Sequence, residues 1–162
     1  MDAVTIRTLD AEDRGWVREF MVDRWGAPTV VGHGEVYEPE RLPGLAAYAG
    51  DVLVGLLTYR IAGGACEVVT LDSLREGIGV GTALIAAVAA AARAAGCARL
   101  WLITTNDNLG ALRFYQKRGF ALVAVHRGAV DRARALKPEI PLIGNDGIPL
   151  RDEIELEMPL DE

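Results

Sequence analysis

The sequence predicts an α+β domain built on an α/β mixed sheet, and three observations carry that prediction. Three β-rich runs, Leu45 to Ala49, Val52 to Ile61 and Glu67 to Leu71, follow one another around Gly50-Asp51 and Gly63-Gly64, the pattern of an antiparallel meander. From Glu67 onward the order becomes strand, helix, strand, helix, strand. Between the first of those strands and its helix, glycines recur at Gly77, Gly79 and Gly81.

Each element has a local cause. Val4 to Leu9 alternates apolar and polar residues, as a half-buried strand does. Asp10 opens a helix in which Trp16, Val17, Phe20, Met21 and Trp25 recur at three- and four-residue spacing, giving one buried stripe that ends at Gly26-Ala27-Pro28. Residues 29–43 mix Gly, Pro and polar side chains and read as an irregular or partly helical connector. An Ala-rich helix, Thr82 to Ala95, contains no proline and stops at Gly96. Arg99 to Thr104 reads as a strand, Leu109 to Arg118 as a helix capped by Gly119, and Phe120 to His126 as a returning strand. Residues 128–137 look helical, after which Pro138, Pro141, Gly144, Gly147 and Pro149 enforce a long structured loop. Glu153 to Leu160 closes the chain as a strand with Glu153, Glu155 and Glu157 on one solvated acidic face.

Composition narrows the function. A chain of 162 residues buries a substantial core without disulfides or metal and is most simply one domain, residues 1–162. Its 51% hydrophobic and 25% charged residues place it among ordinary globular proteins rather than disordered ones. The net charge of −6 argues against a nucleic-acid partner, which normally selects clustered Lys and Arg, and favours a cationic or neutral acceptor. Cys66 and Cys97 form no metal-ligating pattern, so no metal is expected, and they read as buried thiols in a reducing cytosol. The first residues lack a basic stretch followed by an apolar one, and Val80 to Ala92 is too short to span a bilayer. A cytoplasmic location without membrane contact is therefore expected.

Chemistry begins at the glycine stretch. Glycines let a backbone turn tightly and approach a ligand closely, and the first amides of a helix have no carbonyl partner within it, so they point toward negative charge. A phosphate or pyrophosphate is the natural occupant. The P-loop pattern fails because Gly81 is followed by Thr82-Ala83 and no lysine. A dinucleotide fingerprint fits poorly, since Asp107 lies too far along and most of the preceding α/β repeat is missing.

The element order, the EGIGVGTAL loop and the segment NDNLGALRFYQKRGF together resemble the Gcn5-related N-acetyltransferase (GNAT) superfamily. Asn108, Ala111, Tyr115 and Gly119-Phe120 match that family's Asn-x-x-Ala, Tyr and Gly-Phe spacing. The resemblance implies a GNAT fold: a central mixed, mostly antiparallel sheet of about seven strands, splayed between its fourth and fifth strands, with helices on both faces. It also implies acetyl-CoA in the gap and direct transfer of acetyl to an amine, with no covalent enzyme intermediate. In the family's pyrophosphate motif, Arg/Gln-x-x-Gly-x-Gly/Ala, the glycines correspond to Gly79 and Gly81. The first position falls on Glu76, with Arg75 one residue early, which departs from the pattern.

Candidate roles follow. Gly77, Ile78, Gly79, Val80, Gly81 and Thr82 would offer amides and a hydroxyl to the pyrophosphate. Leu71, Asp72 and Ser73 would pair their backbone with the pantetheine amides, as a peptide adds to a sheet edge. Asn108, beside Ala111, either bonds near the acetyl-bearing arm or caps its helix. Tyr115, at the family's tyrosine position, would protonate the leaving CoA thiolate. Glu67 is the expected base: strand alternation puts it on the face of Val69 and Leu71, where loss of solvent would raise its pKa. His33, His126 and a chain of waters are alternatives. The acceptor site draws on Trp25, His33, Glu35, Tyr37 and Asp107, since carboxylates with aromatics suit an amine-bearing cation. The run from Lys137 to Pro149 reads as an acceptor lid or a homodimer contact. The expected activity is N-acetylation of a small-molecule or protein amine. The alternative is a non-catalytic acyl-CoA-binding or sensing module.

Overall fold

The computed structural model describes residues 3–160. In chain order the described elements are β1 (Val4–Thr8), α1 (Arg14–Trp25), β2 (Val30–Gly32), β3 (Glu35–Tyr37), β4 (Gly44–Ala49), β5 (Val52–Ala62) and β6 (Ala65–Ser73). Then come α2 (Val80–Ala94), β7 (Arg99–Thr105), α3 (Leu109–Lys117), β8 (Ala121–His126), α4 (Ala129–Leu136) and β9 (Glu153–Pro159). Seven strands hydrogen-bond in the order β1-β4-β5-β6-β7-β9-β8, while β2 pairs with β3 in a separate hairpin. The sheet is mostly antiparallel, as the β1/β4, β4/β5, β5/β6 and β8/β9 pairs record. Among the described residues no helix is long and apolar enough to cross a membrane.

The chain groups into two compact units. The first gathers the chain up to Pro28, Glu38–Leu100 and the last residues from Pro159, and the second gathers Thr29–Tyr37 and Trp101–Met158.

In the first unit the expected helix after Asp10 begins with a 3-10 turn over Ala11–Asp13 before α1 proper. Asp10 accepts the amide of Glu12, and Asp13 accepts that of Asp10, so orphan donors at the helix start are satisfied reciprocally. The Arg7 guanidinium bonds both Asp13 oxygens and holds that carboxyl well below the usual carboxylate range. Val17, Met21, Leu56, Leu57, Leu84 and Val88 are each no more than 1% exposed and form the apolar centre of this unit. Gly55 permits that packing. A Cβ there would lie 2.5 Å from Val80 Cγ1 and 2.9 Å from the Asp72 carbonyl oxygen, so only glycine lets α2 approach β5 this closely. Trp25 departs from the expected stripe: at the helix end it is 40% exposed.

Register on β6 carries a larger departure. Thr58 faces Thr70 while Tyr59 faces Val68, so Val69 is an extra residue on β6. A bulge of this kind reverses the alternation beyond it. Leu56, Thr58 and Arg60 alternate onto one face of β5, and their partners are Asp72, Thr70 and Glu67. Glu67 therefore shares a face with Thr70 and Asp72, and the expectation that it lies with Val69 and Leu71 is corrected.

The second unit contains the other differences. The connector after Pro28 holds a regular β2/β3 hairpin, followed by a 3-10 turn over Pro39–Arg41 that belongs to the first unit. The hairpin turns through His33-Gly34 with φ of 40° and 82°, the pair of positive angles that Asn-Gly usually signals. Glu153 is 4% exposed and its carboxylate accepts the His33 amide of the β2/β3 hairpin, and so the expected solvated acidic face is corrected at that position. In the Pro- and Gly-rich loop, Arg134 donates to the carbonyls of Ile140, Pro141 and Leu150.

Candidate active site

The glycine turn lies in the first unit. β6 runs to Ser73, two residues beyond the expected stop, and α2 starts at Val80, two residues before the expected Thr82. Gly77 and Gly79 take φ of 82° and 79°, conformations that side chains other than glycine rarely adopt. A Cβ at either would meet nothing within 4 Å, so the turn stands in open space rather than packing on the protein's own core. Gly79 caps α2 without a side-chain bond, and the first bond inside the helix runs from Ala83 to the Gly79 carbonyl at 2.9 Å. The amides of Val80 and Gly81 precede it and have no acceptor within the helix. Ile78 is half-buried, and Thr82 is exposed at the same end. Val80 and Gly81 are buried, while Gly77, Gly79 and Thr82 are exposed around them; amides at a helix N-terminus suit a diphosphate, so the residues present fit that group.

At the end of β6, Leu71, Asp72 and Ser73 pair with Leu57, Leu56 and Gly55. The side chain of Asp72 does more than the sequence suggested. Its carboxylate, 9% exposed, accepts the Trp25 indole N–H at 3.2 and 3.0 Å, and Arg24 Nε lies 3.6 Å away. Burial raises its pKa, while the Trp25 bond and Arg24 act in the opposite direction. On the same face the Thr58 and Thr70 hydroxyls bond each other at 2.7 Å, and Glu67 is buried. Cys66 and Cys97 are buried free thiols, and burial pushes Cys66 up to about 12. A thiol so held is inert as a nucleophile at neutral pH.

In the second unit, Asn108 caps α3 by accepting the Ala111 amide at 3.1 Å, the capping alternative of the two left open. Tyr115 is buried, edge-on to Phe114 and Phe120 with centroids 5.2 and 5.3 Å away. His33 and Tyr37 come together, with His33 Nε2 and the Tyr37 hydroxyl 3.0 Å apart. The His33 amide donates to Glu153, and its ring tilts over Trp101 at 5.1 Å. Neither Glu153 nor Trp101 stood out in the sequence as a site residue; the pairing of Glu153 with His126 across β8 and β9 comes from the strand register. Glu35 is exposed on β3. Asp107, expected as an acceptor contact, is buried, accepts the Thr105 hydroxyl and the Asn145 amide, and would collide with a Cβ on Gly144. That carboxylate is a loop fastener. His126 lies 3.0 Å from Glu155, a neighbour across the β8/β9 pair.

A mostly antiparallel sheet with an open glycine turn leading into a helix is the arrangement of an acyl-CoA-dependent transferase fold. The chain belongs to the acetyltransferase (GNAT) family, whose model matches residues 6–120. It is 45% identical over 138 residues to the uncharacterised protein YdhI of Bacillus subtilis, covering 84% of this chain and 86% of that one. Among solved structures it resembles an IAA acetyltransferase from Bacillus cereus, with TM-score 0.74 and 22% identity over 98% of this chain and 100% of that one. It also resembles a Bacillus subtilis acetyltransferase in complex with CoA, with TM-score 0.69 and 20% identity over 99% of this chain and 100% of that one. At these identities the two structures establish the shared fold.

Proposed function

We propose that the chain transfers acetyl from acetyl-CoA to a primary amine, on a small molecule or a protein, within a ternary complex in the cytoplasm. The observation that carries this reading is the open turn at Gly77 and Gly79 ahead of the amides of Val80 and Gly81, which have no acceptor within the helix. Those donors hold the diphosphate, and the α2 dipole adds favourable charge. Leu71 to Ser73 align the pantetheine arm by backbone bonding. Acetyl-CoA supplies an activated acyl group, so the protein's own work is positioning and proton transfer. Glu67 takes a proton from the acceptor ammonium, directly or through water, which frees the nitrogen lone pair for attack on the thioester carbonyl. Tyr115 gives its phenolic proton to the departing thiolate. Trp25, His33, Glu35 and Tyr37 supply contacts for the acceptor.

Calorimetric titration with CoA, followed by a thiol-release screen of amines, tests the reading. CoA should bind with measurable heat, and at least one amine should release thiol. Tyr115→Phe should lower kcat about 100-fold or more while leaving the acetyl-CoA affinity unchanged. Absence of heat with any CoA species would refute the reading. Binding without release by any amine would leave the sensing module in its place, the reading that Glu76 at the motif's first position favours.

A further inference from the structure

The last turn of α1 is held differently from the rest of the helix. Its buried residues are Val17 and Met21, both upstream, and in the final turn Val22 and Trp25 are 43% and 40% exposed. Apolar burial there is too small to fix the helix end. The indole N–H of Trp25 instead reaches both oxygens of the Asp72 carboxylate, with Arg24 3.6 Å from one of them. Gly26, left-handed at φ 80°, then ends the helix with its amide on the Val22 carbonyl, so the position of Trp25 sets where the chain leaves α1. A carboxylate taken out of water is costly unless it is well partnered, and here the partners are the two closing residues of α1.

We propose that Asp72 is a positioning residue with two attachments, its backbone serving the cofactor arm and its carboxylate clasping Trp25, so that CoA binding is transmitted to the end of α1. The proposal rests on the reading that residues 71–73 carry the pantetheine. Coupling of this kind is reciprocal: if CoA tightens the clasp, breaking the clasp weakens CoA by the same factor. The indole itself reports the event, because its emission depends on whether its N–H is bonded and on how much water surrounds the ring. Arg24 adds a second, weaker hold, so the amide of an asparagine at position 72, which keeps an oxygen acceptor, should preserve the clasp in part.

The test is a titration with CoA followed by calorimetry and by tryptophan emission, with the Trp25 contribution taken as the difference between the wild type and Trp25→Phe. In the wild type that contribution should shift along the same curve as the heat. Asp72→Ala should abolish the shift and weaken CoA about fivefold or more, and Asp72→Asn should retain it. CoA binding with unmoved Trp25 emission overturns the proposal and leaves the cofactor reading intact, as does a normal shift and affinity in Asp72→Ala. No heat with CoA removes the cofactor reading and the proposal together. Should Asp72→Ala fail to fold by circular dichroism, Trp25→Phe decides alone: it keeps a ring but no donor, and an unchanged CoA affinity overturns the clasp.

Discussion

Adding one methyl group at Gly55 should loosen the protein and weaken its grip on CoA together. The new Cβ would sit 2.5 Å from Val80 Cγ1, 2.9 Å from the Asp72 carbonyl oxygen and 3.0 Å from Leu84 Cδ1. Comfortable separation for such carbons is about 3.5–4.0 Å, so the pair must part by about 1 Å. Val80 cannot simply rotate, because a β-branched side chain in a helix has one strongly preferred rotamer, and the carbonyl oxygen belongs to backbone. The first turn of α2 must therefore retreat from β5. Overpacking of this kind costs about 1–3 kcal/mol, here toward the upper end, offset by about 0.5–1 kcal/mol from the stiffer unfolded chain. The net loss for Gly55→Ala is about 2 kcal/mol, or about 4–8 °C in Tm for a chain of this size. Because Val80 opens the helix whose amides are assigned to the diphosphate, CoA affinity should fall several-fold as well. Val80→Ala removes the nearest clashing atom, so the double variant should lose less stability than the two single losses summed. Urea denaturation and calorimetry measure both effects. Gly55→Ala within about 0.5 kcal/mol of wild type, or no relief from Val80→Ala, would refute the reasoning.

Further predictions concern single groups. Glu67→Gln should lower kcat about 100-fold or more with acetyl-CoA affinity intact, and an unchanged kcat would remove Glu67 as base. Asp107→Ala strips partners from the Thr105 hydroxyl and the Asn145 amide and should destabilise by about 2 kcal/mol in urea denaturation. The Asp13 carboxyl is depressed chiefly by its bond to Arg7, so its contribution to stability is complete above the ordinary carboxylate pKa of about 4 and is lost as pH falls through the depressed value. Thermal melts should therefore lose stability with acid more steeply in wild type than in Asp13→Asn, and parallel curves would count against the assignment.

Much of this fold is legible in the residues because local and long-range preferences agree. Asp10 opens a helix as a capping residue should, Gly50-Asp51 and Gly63-Gly64 turn the meander, and Gly96 at φ 79° stops α2. The hairpin at Val30–Tyr37 escapes notice because His33-Gly34 occupies a turn that Asn-Gly normally marks. The face of Glu67 is misjudged for a different reason: nothing in EVVTL signals that Val69 is an extra residue, since a bulge is fixed by the pairing of β5 with β6. Trp25 has the spacing of a core residue, yet its indole N–H finds a carboxylate 47 positions away, a contact no periodicity encodes. The open glycine turn, by contrast, needs only local geometry, and there residue types alone sufficed.

The interruption at Val69 leaves the two halves of one strand out of phase. Moving an acid by one place on the near side, from position 67 to 68, would turn it into the layer where Gly55 meets Val80, beside Tyr59 and Cys66 instead of Thr70 and Asp72. Deleting Val69 would remove the interruption and keep the other pairings, so Glu67 would stay opposite Arg60 on the face of Thr70 and Asp72. The face that Glu67 presents is thus set by its pairing with β5, and Val69 is the residue which that pairing leaves over.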